Sequence, residues 1–200
     1  MISVKDRVIF IHIPKTSGTS IECMFGCRTI RDSSSGIRII DNQNIVPVHM
    51  SAIEMQEAHP IWFNNFYKFT IVRNSWDRIF SAYMMGYNSR SRAGMPMLTF
   101  EDFLQKINNK NWRDQLSYIT INGKIVMDQV IRFEDLQNEW SQLCQTIGKS
   151  YEPMVHVLKN QNKSITLHDV YTPNNIKLVA QMCKKEIEYF NYDFPSKTTS

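Results

Sequence analysis

Val8-Ile9-Phe10-Ile11-His12-Ile13 is an almost unbroken apolar run, rich in β-branched residues, that stops at Pro14-Lys15. A strand with one face in water alternates apolar and polar residues, so a run without alternation belongs to a strand covered on both faces, as in a parallel sheet. The run therefore predicts a first, central strand. Pro14 to Ser20 is turn-forming, and Ser20 to Cys27 reads as a helix with Ile21, Met24 and Phe25 on its inner side.

The strand, loop and helix pattern recurs twice. Phe69-Thr70-Ile71-Val72 leads through Arg73-Asn74-Ser75 into a helix from about Trp76 to Tyr87, with Trp76, Ile79, Phe80, Tyr83, Met84 and Tyr87 on one stripe. Val130-Ile131-Arg132-Phe133 leads to Asp135, placed to cap a helix through Leu136, Trp140, Leu143 and Ile147 that Gly148 stops. Asn122-Gly123 between two apolar segments, Tyr118–Ile121 and Lys124–Met127, predicts a hairpin. A last helix starts at Thr172-Pro173 and buries Ile176, Val179, Cys183, Ile187 and Phe190. Alternating strands and helices predict an α/β fold: a three-layer, P-loop-like domain with a mostly parallel central sheet flanked by helices. Ligands of such sheets lie beyond the C-terminal ends of the strands.

The 200 residues are 42% apolar, enough for one well-buried core, and no repeat or Pro/Gly-rich linker divides them, so a single domain over 1–200 is expected. The formal charge is only +4 and the Lys and Arg residues are scattered, which suits a local anion site and not a nucleic-acid face. The N-terminal apolar run is too short to span a bilayer and no cleavage site follows it. Cys23, Cys27, Cys144 and Cys183 form no CxxC pair and no zinc pattern, so reduced, mostly buried thiols in a cytoplasmic protein without a metal are expected. Cys23 and Cys27, at i and i+4, read either as a metal pair or as one buried helix face.

Ile13-Pro14-Lys15-Thr16-Ser17-Gly18-Thr19-Ser20 joins the first strand to a helix N-terminus. Backbone N–H groups there attract an anion, and Lys15, Thr16, Thr19 and Ser20 add a charge and hydroxyl donors. The lysine precedes the glycine, unlike GxxxxGK[ST], and a Walker-B carboxylate is not apparent, which counts against a nucleotide kinase. Cap-forming residues at an ordinary strand-to-helix turn are the other account of the segment. With His12 at its head, the segment resembles the 5′-phosphosulfate loop of the sulfotransferases that use 3′-phosphoadenosine 5′-phosphosulfate (PAPS). It is most similar to the carbohydrate 2-O-sulfotransferase-like branch and its bacterial relatives. Ser17 departs from that pattern, where glycine is usual.

Arg73 at a strand end and Ser81 in the second turn of the next helix form a fork and a hydroxyl suited to a phosphate. Singly, Arg73 also reads as a salt bridge with Asp77 and Ser81 as a solvated helix position. Arg73-Asn74-Ser75-Trp76-Asp77-Arg78-Ile79-Phe80-Ser81 resembles the same family's 3′-phosphate motif, with Ser75 where proline is common. Looser matches follow at Asn111–Gln115, Ile131–Leu136, Lys159–Ser164 and Glu188–Tyr192, with Asn162 and Ser164 matching the loop that closes over the cofactor.

The resemblance implies that Pro14, Lys15, Thr16, Ser17, Gly18, Thr19 and Ser20 hold the 5′ end of PAPS, Lys15 facing the bridging oxygen. Arg73 and Ser81 would bind the 3′-phosphate. A transfer to an alcohol needs a base, and histidine titrates in the useful range. Among His12, His49, His59, His156 and His168, Val48-His49-Met50-Ser51-Ala52-Ile53 resembles the segment carrying the family's catalytic histidine, although Pro47 stands where a second histidine occurs. His49 reads either as that base or as a residue preceding a helix that begins near Ser51, with Glu54 the carboxylate to consider next. The implied reaction moves a sulfuryl group to an acceptor hydroxyl on a carbohydrate or small molecule, releasing 3′-phosphoadenosine 5′-phosphate. A nucleotide kinase and a non-catalytic nucleotide-binding domain are the alternatives. The polar stretch Asn88–Pro96 reads as a loop, and the oligomeric state is not legible.

Overall fold

The computed structural model describes residues 1–27, 38–41, 44–46, 49–109, 112–154 and 165–196. In chain order the elements begin with β1 (Ile2–Ser3), β2 (Val8–Ile11), α1 (Gly18–Met24), β3 (Arg38–Asp41) and β4 (Asn44–Val46). There follow α2 (Ala52–Ala58), α3 (Pro60–Asn65), β5 (Tyr67–Val72), α4 (Ser75–Arg92) and α5 (Phe100–Asn109). Next come α6 (Leu116–Ile119), β6 (Thr120–Ile121), β7 (Lys124–Ile125), β8 (Gln129–Arg132) and α7 (Leu136–Thr146), the last reached through a 3₁₀ turn at Phe133–Asp135. The chain closes with α8 (Leu167–Val170), α9 (Pro173–Met182) and α10 (Lys184–Phe190).

Two compact units account for the chain, Met1–Val72 with Gln115–Leu158 and Arg73–Asp114 with Lys159–Ser200. The first holds a six-stranded sheet among the described residues, in the order β3-β4-β1-β2-β5-β8. β2, β5 and β8 are parallel, with Ile11 opposite Thr70 and Ile71 opposite Ile131. β1 runs antiparallel to both β2 and β4, and β3 antiparallel to β4, so β2, β4, β5 and β8 share one direction and the sheet is mostly parallel. The antiparallel edge was not foreseen. Its cause is the tight turn Val4–Arg7, with Arg7 at φ 54, which is too short for a crossover and folds β1 back onto β2.

Every residue of β2 is buried, as the unbroken apolar run requires. Val8, Phe10, Phe69, Ile71 and Ile131 of the sheet join Ile21 and Met24 of α1, its C-cap Phe25, and Leu136, Trp140 and Leu143 of α7 in one core. The hairpin is present with Asn122 and Gly123 both at positive φ, the signature of a type I′ turn, but it is shorter than expected. Tyr118 and Ile119 end a helical turn instead of starting a strand, since a short apolar run fits either state. Asp135 occupies the N-cap of α7 but makes no side-chain cap bond.

The second unit is helical. α4 runs to Arg92, so Asn88–Arg92 are helix and not loop; Gly86 alone does not stop it. The expected final helix is two, broken at Cys183, and Ile176 and Ile187 are half-buried while Val179, Cys183 and Phe190 are buried. Thr172 caps α9 by accepting from Asn175 N–H, with Pro173 in the first turn. Tyr83, Phe100, Tyr171 and Phe194 form a chain of ring contacts at 4.6–5.4 Å between centroids. Among the described residues no helix is long and apolar enough to cross a membrane.

Candidate functional site

The loop His12–Ser17 leaves the C-terminal end of β2. Lys15 and Ser17 both adopt left-handed backbone, at φ 71 and φ 69, and Gly18 then opens α1. A left-handed residue followed by a right-handed one turns successive N–H groups toward a common point, the geometry of an anion nest. Ser17 thus takes the conformation that glycine adopts without a Cβ penalty. Thr16 is fully buried and donates its hydroxyl to the Ile13 carbonyl at 2.9 Å. That proton holds the loop together, so Thr16 has its backbone N–H to offer an anion. Lys15, Ser17 and Thr19 are half-buried, whereas Gly18 and Ser20 are buried.

Gly18 is required by contact. A Cβ built on it would lie 2.0 Å from Cδ2 and Nε2 of the His12 imidazole. That ring is held from the other side, where Nδ1 lies 2.7 Å from Oε1 of Glu22. Glu22 is only 1% exposed and His12 8%. The sequence singles out His12 only as the head of the loop, and Glu22 not at all. The signal was present, because Gly18, Ile21, Glu22 and Phe25 fall at i, i+3, i+4 and i+7, which puts a carboxylate on the inward face of α1.

His49 stands in the same unit and meets His12 edge-on, their ring centroids 4.5 Å apart at 69°. Its Nδ1 lies 3.1 Å from the His12 carbonyl. A carbonyl only accepts, so Nδ1 carries the proton and the basic lone pair resides on Nε2. His49 itself has φ 57, and Ser51 two residues on caps α2 in a capping box with Glu54. Glu54 accepts from the Ser51 N–H at 2.7 Å and from its hydroxyl. The carboxylate considered beside His49 is thereby engaged as a helix cap. Pro47 and Val48 lie outside the described residues.

Arg73 follows Val72, the last residue of β5. Within the second unit its Nε donates to Asp77 Oδ2 at 2.7 Å, the ion pair weighed in the sequence. This bond uses one of the five N–H groups of the guanidinium and fixes its plane. Asp77 and the half-buried Ser81 are one turn apart on α4, so Arg73 is held at the face that carries Ser81. Asn74 caps α4, accepting from Trp76 N–H, and donates to the Asp193 carbonyl at 2.7 Å.

Behind that face is a buried polar group absent from the sequence reading. Glu186, fully buried, accepts from the Ser75 hydroxyl at 2.6 Å and lies 3.8 Å from Arg78 Nη1. Arg78, 1% exposed, stacks over Trp112 at 4.6 Å and donates to the Arg113 carbonyl. Burial, with the Glu186 carboxylate nearby, pushes the Cys183 thiol far above its usual range. Burial likewise raises Tyr171. All four cysteines are free thiols, with only Cys23 partly accessible. Asn162, Ser164 and His156 lie outside the described residues, as does Asn111. Among the described residues no three His, Cys, Asp or Glu side chains are grouped as a metal site.

A family model described as the sulfotransferase family matches residues 1–193. Among solved structures, a sulfotransferase from Alicyclobacillus acidocaldarius is similar at 20% identity and a TM-score of 0.40. The match covers 72% of this chain and 60% of that one, so this chain spans less than two thirds of its length. Comparison with curated proteins gives no match.

Proposed function

The chain belongs to the sulfotransferase family, matched over residues 1–193, and from that premise we propose that it moves a sulfuryl group from PAPS to an acceptor hydroxyl. The observation that carries this reading is the loop at the end of β2. Lys15 and Ser17 take the left-handed backbone from which anion nests are built, and the glycine between Ser17 and Thr19 is the only residue that fits against His12.

In this reading Pro14, Lys15, Thr16, Ser17, Gly18, Thr19 and Ser20 hold the 5′-phosphosulfate, and Lys15 neutralises charge on the bridging oxygen. Arg73 and Ser81 bind the 3′-phosphate, with Asn162 and Ser164 over the nucleotide. The acceptor oxygen bonds to sulfur as the sulfur–oxygen bond to the 5′-phosphate breaks in line. His49 Nε2 takes the acceptor proton, and 3′-phosphoadenosine 5′-phosphate leaves. A carbohydrate or small-molecule alcohol is the acceptor. The free, largely buried thiols support a reducing, cytoplasmic setting.

The test is thermal. A ligand at 100 times its dissociation constant stabilises by about 2.7 kcal/mol, which for a chain of this size raises Tm by roughly 5–10 °C. We expect that rise with 3′-phosphoadenosine 5′-phosphate and not with ATP and magnesium. The reverse result overturns the proposal in favour of a kinase. Labelled donor presented to a panel of alcohols then identifies the acceptor.

A further inference from the structure

His12 is the point at which three parts of the first unit converge. Its ring is tied through Nδ1 to Glu22 of α1 at 2.7 Å, its carbonyl accepts from His49 Nδ1 at 3.1 Å, and its Nε2 edge seats Gly18 of the loop. Phe10 stacks on the ring at 5.7 Å and 22°, while His49 closes the remaining side edge-on. A carboxylate as deeply buried as Glu22 is costly unless it is bonded, so its retention on an inward helix face calls for a role.

We propose that Glu22 and His12 are positioning residues that hold the base and the anion loop in register. The carboxylate accepts the Nδ1 proton of His12 and fixes that ring's rotation. A fixed ring sets where Gly18, and therefore the N–H groups on either side of it, can sit. The same residue's carbonyl dictates which nitrogen of His49 carries the proton, leaving Nε2 as the basic one. The buried pair thus fixes the place that receives the leaving phosphate, and the main chain of His12 fixes the atom that receives the acceptor proton. In this assignment both act through other groups, Glu22 through the His12 ring and His12 through Gly18 and His49. This assignment rests on the sulfotransferase reading for its catalytic consequence, but not for its geometry.

The tests use Glu22→Gln, which keeps an acceptor for His12 Nδ1–H, and Glu22→Ala, which removes it. Nitrogen-15 spectra of the imidazoles read the His12 tautomer directly. In the wild-type chain and in Glu22→Gln, His12 is expected with the proton on Nδ1; in Glu22→Ala that signature is lost, while His49 keeps its Nδ1–H form against the main-chain carbonyl. In turnover, Glu22→Ala is expected to lower kcat by 10-fold or more with KM for PAPS changed less than 3-fold, and Glu22→Gln to recover most of kcat. Should Glu22→Ala fail to fold, His12→Phe gives the comparison, since it keeps an aromatic ring and removes both nitrogens. A retained Nδ1–H form of His12 in a folded Glu22→Ala variant, or unchanged kcat in a folded Glu22→Ala or His12→Phe variant, overturns the proposal. If the wild-type chain neither binds 3′-phosphoadenosine 5′-phosphate nor turns over, the sulfotransferase reading fails, and the spectra still decide whether Glu22 orients the His12 ring.

Discussion

Gly18 and Ser17 show how narrowly a loop backbone is specified by one neighbouring ring. Adding a methyl group at Gly18 would overlap the His12 imidazole at 2.0 Å, and that ring is held by Glu22 and cannot swing aside cheaply. Overpacking against a fixed buried group costs about 1–3 kcal/mol. Gly18→Ala is therefore expected to lower unfolding free energy by that amount in a urea titration and to weaken binding of 3′-phosphoadenosine 5′-phosphate; a fully stable variant would show that the ring moves. Ser17 poses the opposite case, a residue with a Cβ in left-handed backbone at φ 69. Relief of that strain against the greater unfolded-state freedom of glycine leaves Ser17→Gly neutral to stabilising by up to about 1 kcal/mol, measurable in the same titration. In the proposed reaction Lys15 carries the chemistry. Lys15→Ala is expected to abolish transfer while far-ultraviolet circular dichroism stays unchanged, because the side chain is half-buried and outside the core. Wild-type turnover in that variant removes Lys15 from the reaction.

At the scale of elements, α4 combines anchoring with presentation. Trp76, Ile79, Tyr83 and Met84 bury one face, and Trp76 Nε1 and the Trp76 carbonyl are bonded to Ile176 and Tyr171. Asp77 and Ser81 share another face, where Asp77 holds Arg73. Arg73→Ala is expected to cut affinity for 3′-phosphoadenosine 5′-phosphate by 10-fold or more in calorimetry. Asp77→Ala, which removes that ion pair, is expected to cost less, about 3–10-fold, by the loss of a preset geometry. Equal affinity in both variants and the wild-type chain removes Arg73 from nucleotide binding. The apolar stripe of α4 was legible because six side chains repeat at helical spacing; its extension through Asn88–Arg92 was not, since polar helix and polar loop differ little in composition. β2, β5 and β8 were legible for the same reason of pattern. Spacing puts Glu22 on the inward face of α1, but its pairing with His12, like that of Glu186 with Arg78, was not legible, because a carboxylate goes inside only when a distant partner meets it and sequence spacing does not reveal that partner.

The whole chain alternates between its two units, passing from one to the other after Val72, Asp114 and Leu158. Each unit is thus assembled from two separated segments, and β5 continues directly into Arg73 and α4. Neither unit is a contiguous stretch that could order while the rest remained a loose tail, because the inserted segment would have its two ends pinned by the folded portion. We propose on this ground that residues 1–200 form one domain that unfolds as one. For 200 residues the unfolding enthalpy near 60 °C is about 140 kcal/mol. Scanning calorimetry is expected to give a single transition whose van't Hoff enthalpy matches the calorimetric one, and saturating 3′-phosphoadenosine 5′-phosphate is expected to move that entire peak upward. Two resolved peaks, with only the lower or only the upper moved by the nucleotide, would show two independently stable units and overturn the single-domain assignment.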